Sequence, residues 1–209
     1  AANITYTVTL TDALSNLVTA ANAITVTTTQ GIITIAANAS SGTLGKAIQV
    51  DDVYVDGETI TNAITAIVEA DAGNAGSLEN LVADNAAVST VVSDTLDAVT
   101  AVLTVSSNGV DEGAVDLVYT VELQDANGDP VIANNIVTVT TTLGVITITA
   151  GDSSNTLTIP IQGDDAFIDA ETVSNAITAV VETNAGQANS FENLGYNGTT
   201  LVTEISDTI

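Results

Sequence analysis

The chain has 209 residues, of which 26 are Asp or Glu and one, Lys46, carries the only side-chain positive charge, so the formal net charge is −25. It contains no Cys, His, Met or Trp, which excludes disulfides, thiol nucleophiles, thiolate or imidazole metal sites and imidazole bases. The charge excludes nucleic acid and anionic membrane surfaces as direct partners, and the 45% hydrophobic content lies above the range of disordered chains.

In chain order, the first clear element is Thr25-Val-Thr-Thr-Thr-Gln-Gly31, an alternating β-branched run closed by Gly. Helical periodicity is nearly absent, with Leu81 to Val92 at most one candidate. Beyond it the pattern predicts strands at about 99–106, 116–124, 134–142, 145–150, 156–162, 173–182 and 198–207. In the second of these, Leu117, Tyr119, Val121 and Leu123 share one face, and Val118, Thr120 and Glu122 the other. Pro160 falls inside its predicted strand and places that strand at a sheet edge. No apolar run approaches the ~20 residues that a membrane-spanning helix needs.

The sequence repeats. Thr25–Gly31 recurs as Thr138-Val-Thr-Thr-Thr-Leu-Gly144, and Asp51-Asp-Val-Tyr-Val-Asp-Gly-Glu-Thr59 as Asp164-Asp-Ala-Phe-Ile-Asp-Ala-Glu-Thr172. Asn62-Ala-Ile-Thr-Ala66, Ser77-Leu-Glu-Asn-Leu81 and Ser93-Asp-Thr-Leu96 recur at the same offset of 113. Residues 1–96 align on 114–209 without a gap, and 49 of the 96 pairs are identical. A period of this size is a whole domain rather than a solenoid unit. The expected organisation is a first repeat over 1–96, lacking its opening strand, and a second over 97–209, joined by a short stiff linker at about 94–98. Seven short strands per unit predict an all-β fold of tandem immunoglobulin-like β-sandwich domains, without the Cys pair and core Trp of antibody domains.

The carboxylates cluster. Alternating strands place the Asp111–Gly113 turn, the 163–172 loop and the end of the last strand at one pole, and the 125–130 and 183–197 loops at the other. In a tandem array these poles face each other. Asp51, Asp52, Asp56, Glu58, Asp94, Asp97, Asp125, Asn127, Asp129 and Glu192 are thereby expected at one junction. Glu112, Asp164, Asp165, Asp169 and Glu171 repeat the pattern at the far end. Calcium takes about six to eight hard oxygen ligands from such loops, and these residues are its candidate ligands. Asp125-x-Asn127-x-Asp129 has the spacing of the first half of an EF-hand loop, but Pro130 and Ile136 depart from that motif. The competing reading is that Asp, Asn and Gly simply form turns. In the first repeat the same loop reads Asp12-Ala-Leu-Ser-Asn16, a poorer ligand set. Catalysis is not expected, because a Ser or Thr nucleophile needs an activating base and Lys46 is the only amine side chain. The Thr rows at 25, 27 and 29 and at 138, 140 and 142 are read as solvent faces of strands, against an ice- or glycan-binding face.

These motifs together carry a resemblance. Val110-Asp-Glu112-Gly113 before Leu117-Val-Tyr119-Thr-Val121, the Asp-Asp-x-Tyr/Phe-x-Asp-x-Glu-Thr block, the Phe/Leu-Glu-Asn-Leu block and the Ser-Asp-Thr linker resemble the immunoglobulin-like extender repeats of giant, type I-secreted (RTX-type) bacterial adhesins. That group includes large biofilm adhesion proteins and an ice-binding adhesin. The resemblance implies a secreted, cell-surface stalk whose partners are neighbouring repeats of the same chain. It also implies Ca2+ at inter-domain junctions and a ligand-binding tip, with no direct membrane contact. The alternative is a subunit of an extracellular filament or surface layer, self-associating into fibres through a strand donated by a neighbour. The absence of a spare strand at the C-terminus favours a window cut from a longer array.

Overall fold

The computed structural model describes residues 2–208, and among them every regular element is a β-strand. The final residue of the last repeated block, Ile209, lies outside the described residues. The chain forms two compact units, Ala1–Asp51 with Gly57–Ser93, and Asp52–Asp56 with Asp94–Ile209.

The first unit contains β1 (Asn3–Thr9), β2 (Ile24–Thr28), β3 (Gly31–Ile35), β4 (Ser41–Ala47), β5 (Glu58–Asn62), β6 (Ile64–Glu69) and β7 (Val88–Val92). They pair as β1-β4, β3-β2-β6 and β5-β7. Alternation puts Ile24, Val26, Ile33 and Ile35 on the inner faces, where they meet Tyr6, Leu10 and Ala20 in a buried core.

The second unit contains β8 (Ala98–Val105), β9 (Gly109–Asp111), β10 (Leu117–Gln124), β11 (Val137–Thr141), β12 (Val145–Ile148), β13 (Ser154–Ile159), β14 (Glu171–Asn175), β15 (Ile177–Glu182), β16 (Asn193–Tyr196) and β17 (Leu201–Ser206). Its sheets are β13-β10-β8-β16, β12-β11-β15 and β14-β17-β9. Leu117, Tyr119, Val121 and Leu123 form the predicted inner face of β10 and pack with Val99, Leu103, Val137, Val139, Ile146 and Ile148. Both units are thus immunoglobulin-like β-sandwiches.

The repeat persists down to strand register. Tyr6 pairs with Leu44 as Tyr119 pairs with Leu157. Ile24 pairs with Ile35 and Glu69 as Val137 pairs with Ile148 and Glu182. A register shift follows Thr27 in one unit and Thr140 in the other. Glu58 lies opposite Val92 as Glu171 lies opposite Ile205.

Four sequence expectations need correction. The helical reading of 81–92 fails: Val88–Val92 is strand β7, whose β-branched residues pair along β5. The single strand predicted at 173–182 is two, because the chain changes sheets at Ala176 and β14 and β15 have different partners. Strands β9 and β16 escaped prediction because each is short and held by a parallel partner distant in sequence, β17 and β8 respectively. Residues 80–83, which align with β16, form no strand, and the first unit has no described strand equivalent to β8 to pair with them. The fourth concerns Pro160, which lies just beyond β13 rather than within it. Strand β13 is nevertheless an edge strand of its sheet, as expected.

A candidate cation site at Glu112, Asp169 and Asp207

Three loops of the second unit bring three carboxylates together. Glu112 follows β9, and its N–H donates to Ser206 O at 3.0 Å, at the end of β17. Gly113 then turns the chain with φ +70, and its N–H donates to Gln162 O at 3.1 Å. A side chain at Gly113 would be strained by that φ and would bring a Cβ to 3.2 Å from Asp164 Cβ. Asp169 lies just before β14, and its N–H donates to Asp207 Oδ1 at 3.1 Å, beyond β17. As a result, one carboxylate oxygen from each of Glu112, Asp169 and Asp207 lies within 4.8 Å of the other two.

Burial makes this more than a surface cluster. Glu112 is 4% exposed, and its Oε2 is buried with no hydrogen-bond partner. Its Oε1 accepts from Gln162 Nε2 at 2.5 Å, and the same nitrogen donates to Asp169 Oδ1 at 3.1 Å. The Glu112 carboxyl is pushed up to about 7. The largest cause is the Asp169 carboxyl beside it, followed by burial. Gln162 opposes the shift, while the Asp169 charge and Asp207 add to it. A buried carboxylate oxygen without a donor, beside two more carboxylates, fits a hard divalent cation. The side chains supply only oxygen ligands.

The remaining expected ligands are placed differently. The Asp125 carboxylate closes its own turn: the N–H groups of Asn127 and Asp129 donate to Oδ1 at 2.8 and 2.9 Å. These bonds, led by that from Asp129, hold its pKa below the usual carboxylate range. Asp12 does the same through Leu14 N–H and Asn16 N–H, so the turn forms in both repeats although their other residues differ. Its pKa is also lowered, first by the Asn16 side chain. Asp129 and Asn127 are exposed. Asp52 and Asp165 cap the residues two ahead, accepting from Tyr54 N–H at 2.8 Å and Phe167 N–H at 2.7 Å. Asp164 bonds the Thr208 hydroxyl. Glu58 and Glu171 open β5 and β14 on the exposed side, and Asp51 is exposed. Asp97 N–H donates to Glu192 Oε2 at 2.6 Å, leaving Glu192 Oε1 buried without a partner. Asp56 N–H donates to Asp94 Oδ2 at 3.0 Å, the equivalent of the Asp169–Asp207 contact 113 residues on. Among the described residues, Glu112, Asp169 and Asp207 are the group of three acids that converges this closely.

Sequence reasoning selected Glu112 and Asp169 but missed Asp207 and Gln162. The repeat carried the signal, since the 113 offset maps Asp94 onto Asp207. The Thr rows lie on the outward faces of β2 and β11. Thr29 and Thr142 are engaged there, donating to the buried Asn62 and Asn175 at 3.2 and 3.1 Å.

A second constellation in this unit surrounds Asp52–Asp56. Val55 N–H donates to Ser190 O at 2.7 Å, Asn189 N–H to Val55 O at 2.8 Å, and Glu192 N–H to Val53 O at 3.0 Å. Tyr54 and Phe191 form an antiparallel bridge, their rings stacked with centroids 5.5 Å apart. The Tyr54 hydroxyl donates to Ile132 O at 2.5 Å. Burial raises the Tyr54 pKa, and the charges of Asp52 and Glu182 add to the shift.

No curated protein sequence matches the chain. Among solved structures it is similar to CBD12 from CALX1.2, with 8% identity and a TM-score of 0.36, over 99% of this chain and 93% of that one. It is also similar to domains 5–6 of the S-layer protein SbsC, with 15% identity and a TM-score of 0.24, over 100% and 91% of the two chains. Both likenesses are too distant to bear on function. The LapA-domain family matches residues 1–95 and again 97–208. With both repeats matched almost end to end, the chain belongs to the LapA-domain family, an adhesin-related family that shares its name with the large adhesion protein of biofilm.

Proposed function

We propose that this chain is an extender stretch of a secreted bacterial surface adhesin, and that Ca2+ held by Glu112, Asp169 and Asp207 stiffens it. The observation that carries the reading is the convergence of Glu112, Asp169 and Asp207, with the Oε2 of Glu112 buried and unpartnered. A chain with one Lys and no other basic side chain cannot neutralise that site from within. Calcium suits it better than magnesium. Magnesium demands near-ideal octahedral geometry and keeps its waters, whereas calcium accepts irregular sets of carboxylates and carbonyls. Asp56 and Asp94 reproduce two of the three positions one period earlier, which supports cation sites recurring along a repeat array. The role is mechanical: reach depends on stiffness, and like charges crowded at domain ends favour splayed arrangements until a cation offsets them.

The test is calcium titration of the 209-residue chain and of a longer array of the same repeats. Calcium is expected to bind and to raise the melting temperature by mass action, with chelation reversing both. Small-angle scattering of the array is expected to show loss of extension in chelator. An array equally extended with and without calcium would sink the stiffening role, and an unchanged melting curve would sink the site.

A further inference from the structure

We propose that the exposed segment Asp164–Asp169 is a docking hook, and that its partner is the Gly76–Glu79 loop of a second copy of this chain, joined head to tail. The inference comes from an interface whose two halves each occur twice in the sequence. In the engaged copy, Asp52–Asp56 lies along Asn189–Glu192 with Tyr54 stacked on Phe191. There Ser190 and Phe191 are buried, Phe191 to 4% exposure. The 113 offset gives the other donor, with Phe167 in the place of Tyr54, and the other acceptor, with Leu78 in the place of Phe191. Phe167 is 75% exposed and Ile168 95%. Ser77 and Leu78 are only half-buried.

Both free halves already have the geometry of the engaged ones. On the donor side, Phe167 N–H is capped by Asp165 as Tyr54 N–H is by Asp52. Asp169 is tied to Asp207 as Asp56 is to Asp94. On the acceptor side, Leu78 N–H donates to the buried Glu69 at 3.0 Å as Phe191 N–H donates to Glu182 at 2.9 Å. The other oxygen of each glutamate accepts from Asn22 at 3.3 Å and from Asn135 at 3.1 Å. The Ser77 hydroxyl donates to Asn74 O at 2.8 Å, and that of Ser190 to Gln187 O at 2.7 Å. The bonds that shape each half are thus already made before association, which lowers its entropic cost. Backbone bonding from an extended segment would supply affinity, and the aromatic ring the selectivity. Because donor and acceptor are different surfaces, the contact is heterologous and joins copies head to tail rather than as a symmetric pair.

The occupant is a second LapA-type repeat, and to that extent the inference rests on the extender reading; it does not require calcium. The absence of native cysteine permits a clean test. Tyr54 and Phe191 are antiparallel bridge partners, a spacing that a disulfide can span. A chain carrying Phe167→Cys is mixed under mild oxidation with one carrying Leu78→Cys, in high salt to screen the like charges. Cross-linked heterodimer is expected in about tenfold excess over the yield with Val68→Cys, a control on the exposed face of β6. In wild-type chain at high concentration, sedimentation is expected to show open-ended association that Phe167→Ser abolishes. A yield equal to the control, or Phe167–Phe167 homodimers in excess, overturns the proposal. Both arms are run in calcium and in chelator. A cross-link without any calcium response sinks the cation site alone, and a calcium response without a cross-link sinks the docking alone.

Discussion

Asp169 and Asp207 are joined by a hydrogen bond from backbone N–H to carboxylate, 3.1 Å long, and the same bond joins Asp56 to Asp94 at 3.0 Å. The contact fixes the chain just beyond the last strand to the loop before β14. It also holds an Asp207 carboxylate oxygen within 4.8 Å of one from Glu112. Asp207→Ala removes both a tether and a candidate ligand. Calorimetric titration is expected to show at least about a tenfold loss in calcium affinity. Stability in chelator is expected to hold or rise, since one of three crowded acids is gone. Undiminished affinity would remove Asp207 from the site.

The Glu112 carboxyl gives stability a pH signature. Its pKa is raised from 4.5 to about 7, so the native state holds the proton more tightly than the unfolded chain. Its contribution is fully present below about 4.5 and is lost as pH rises through about 7. In chelator, denaturant unfolding is expected to show stability falling across that window. Glu112→Gln is expected to flatten this slope and to abolish the calcium response. Saturating calcium is expected to offset the fall, because the ion competes with the proton for the carboxylate. Asp12 and Asp125 act in the opposite sense: their lowered pKa values add stability above the usual 3.8 that is lost as pH falls. An identical slope in Glu112→Gln would refute the assignment.

Asn175 sits at the sheet change between β14 and β15, fully buried. Its Oδ1 accepts from the Thr142 hydroxyl at 3.1 Å and from Leu143 N–H at 3.3 Å. Asn175→Ala leaves those donors short of an acceptor and is expected to cost about 1–3 kcal/mol in urea unfolding. Asn62→Ala is expected to act in the same direction, since Asn62 accepts from Thr29 and Gln30 in the same way. Wild-type stability in both variants would show that the strands alone set the sheet change.

Tyr119 is fully buried among Val, Leu and Ile, and its hydroxyl has no hydrogen-bond partner. Tyr119→Phe keeps the ring and removes the orphaned polar group. It is expected to be neutral or to stabilise by up to about 1 kcal/mol, whereas Tyr119→Ala costs about 3–5 kcal/mol through the cavity it leaves. A large loss in the Phe variant would mean that the hydroxyl is engaged after all.

Sequence alone determined the repeat, the all-β class and most of the strands, because alternation and β-branched composition are local properties. It also placed Glu112 and Asp169 at the same pole, since strand alternation sorts loops by parity. Tertiary structure decided which carboxylates converge. Asp125 spends its oxygens on its own turn, while Asp207, passed over in the sequence, faces Glu112. A carboxylate that caps its own loop and one that converges on other carboxylates have the same letter and the same turn-forming neighbours. Only the path of the chain around β9, β14 and β17 distinguishes them. The same holds for Tyr54 and Phe167, which occupy equivalent positions of the two repeats: one ring is stacked and the other is exposed. What separates them is the presence of a loop like Asn189–Glu192 to receive the ring, and that is a long-range contact no local pattern encodes.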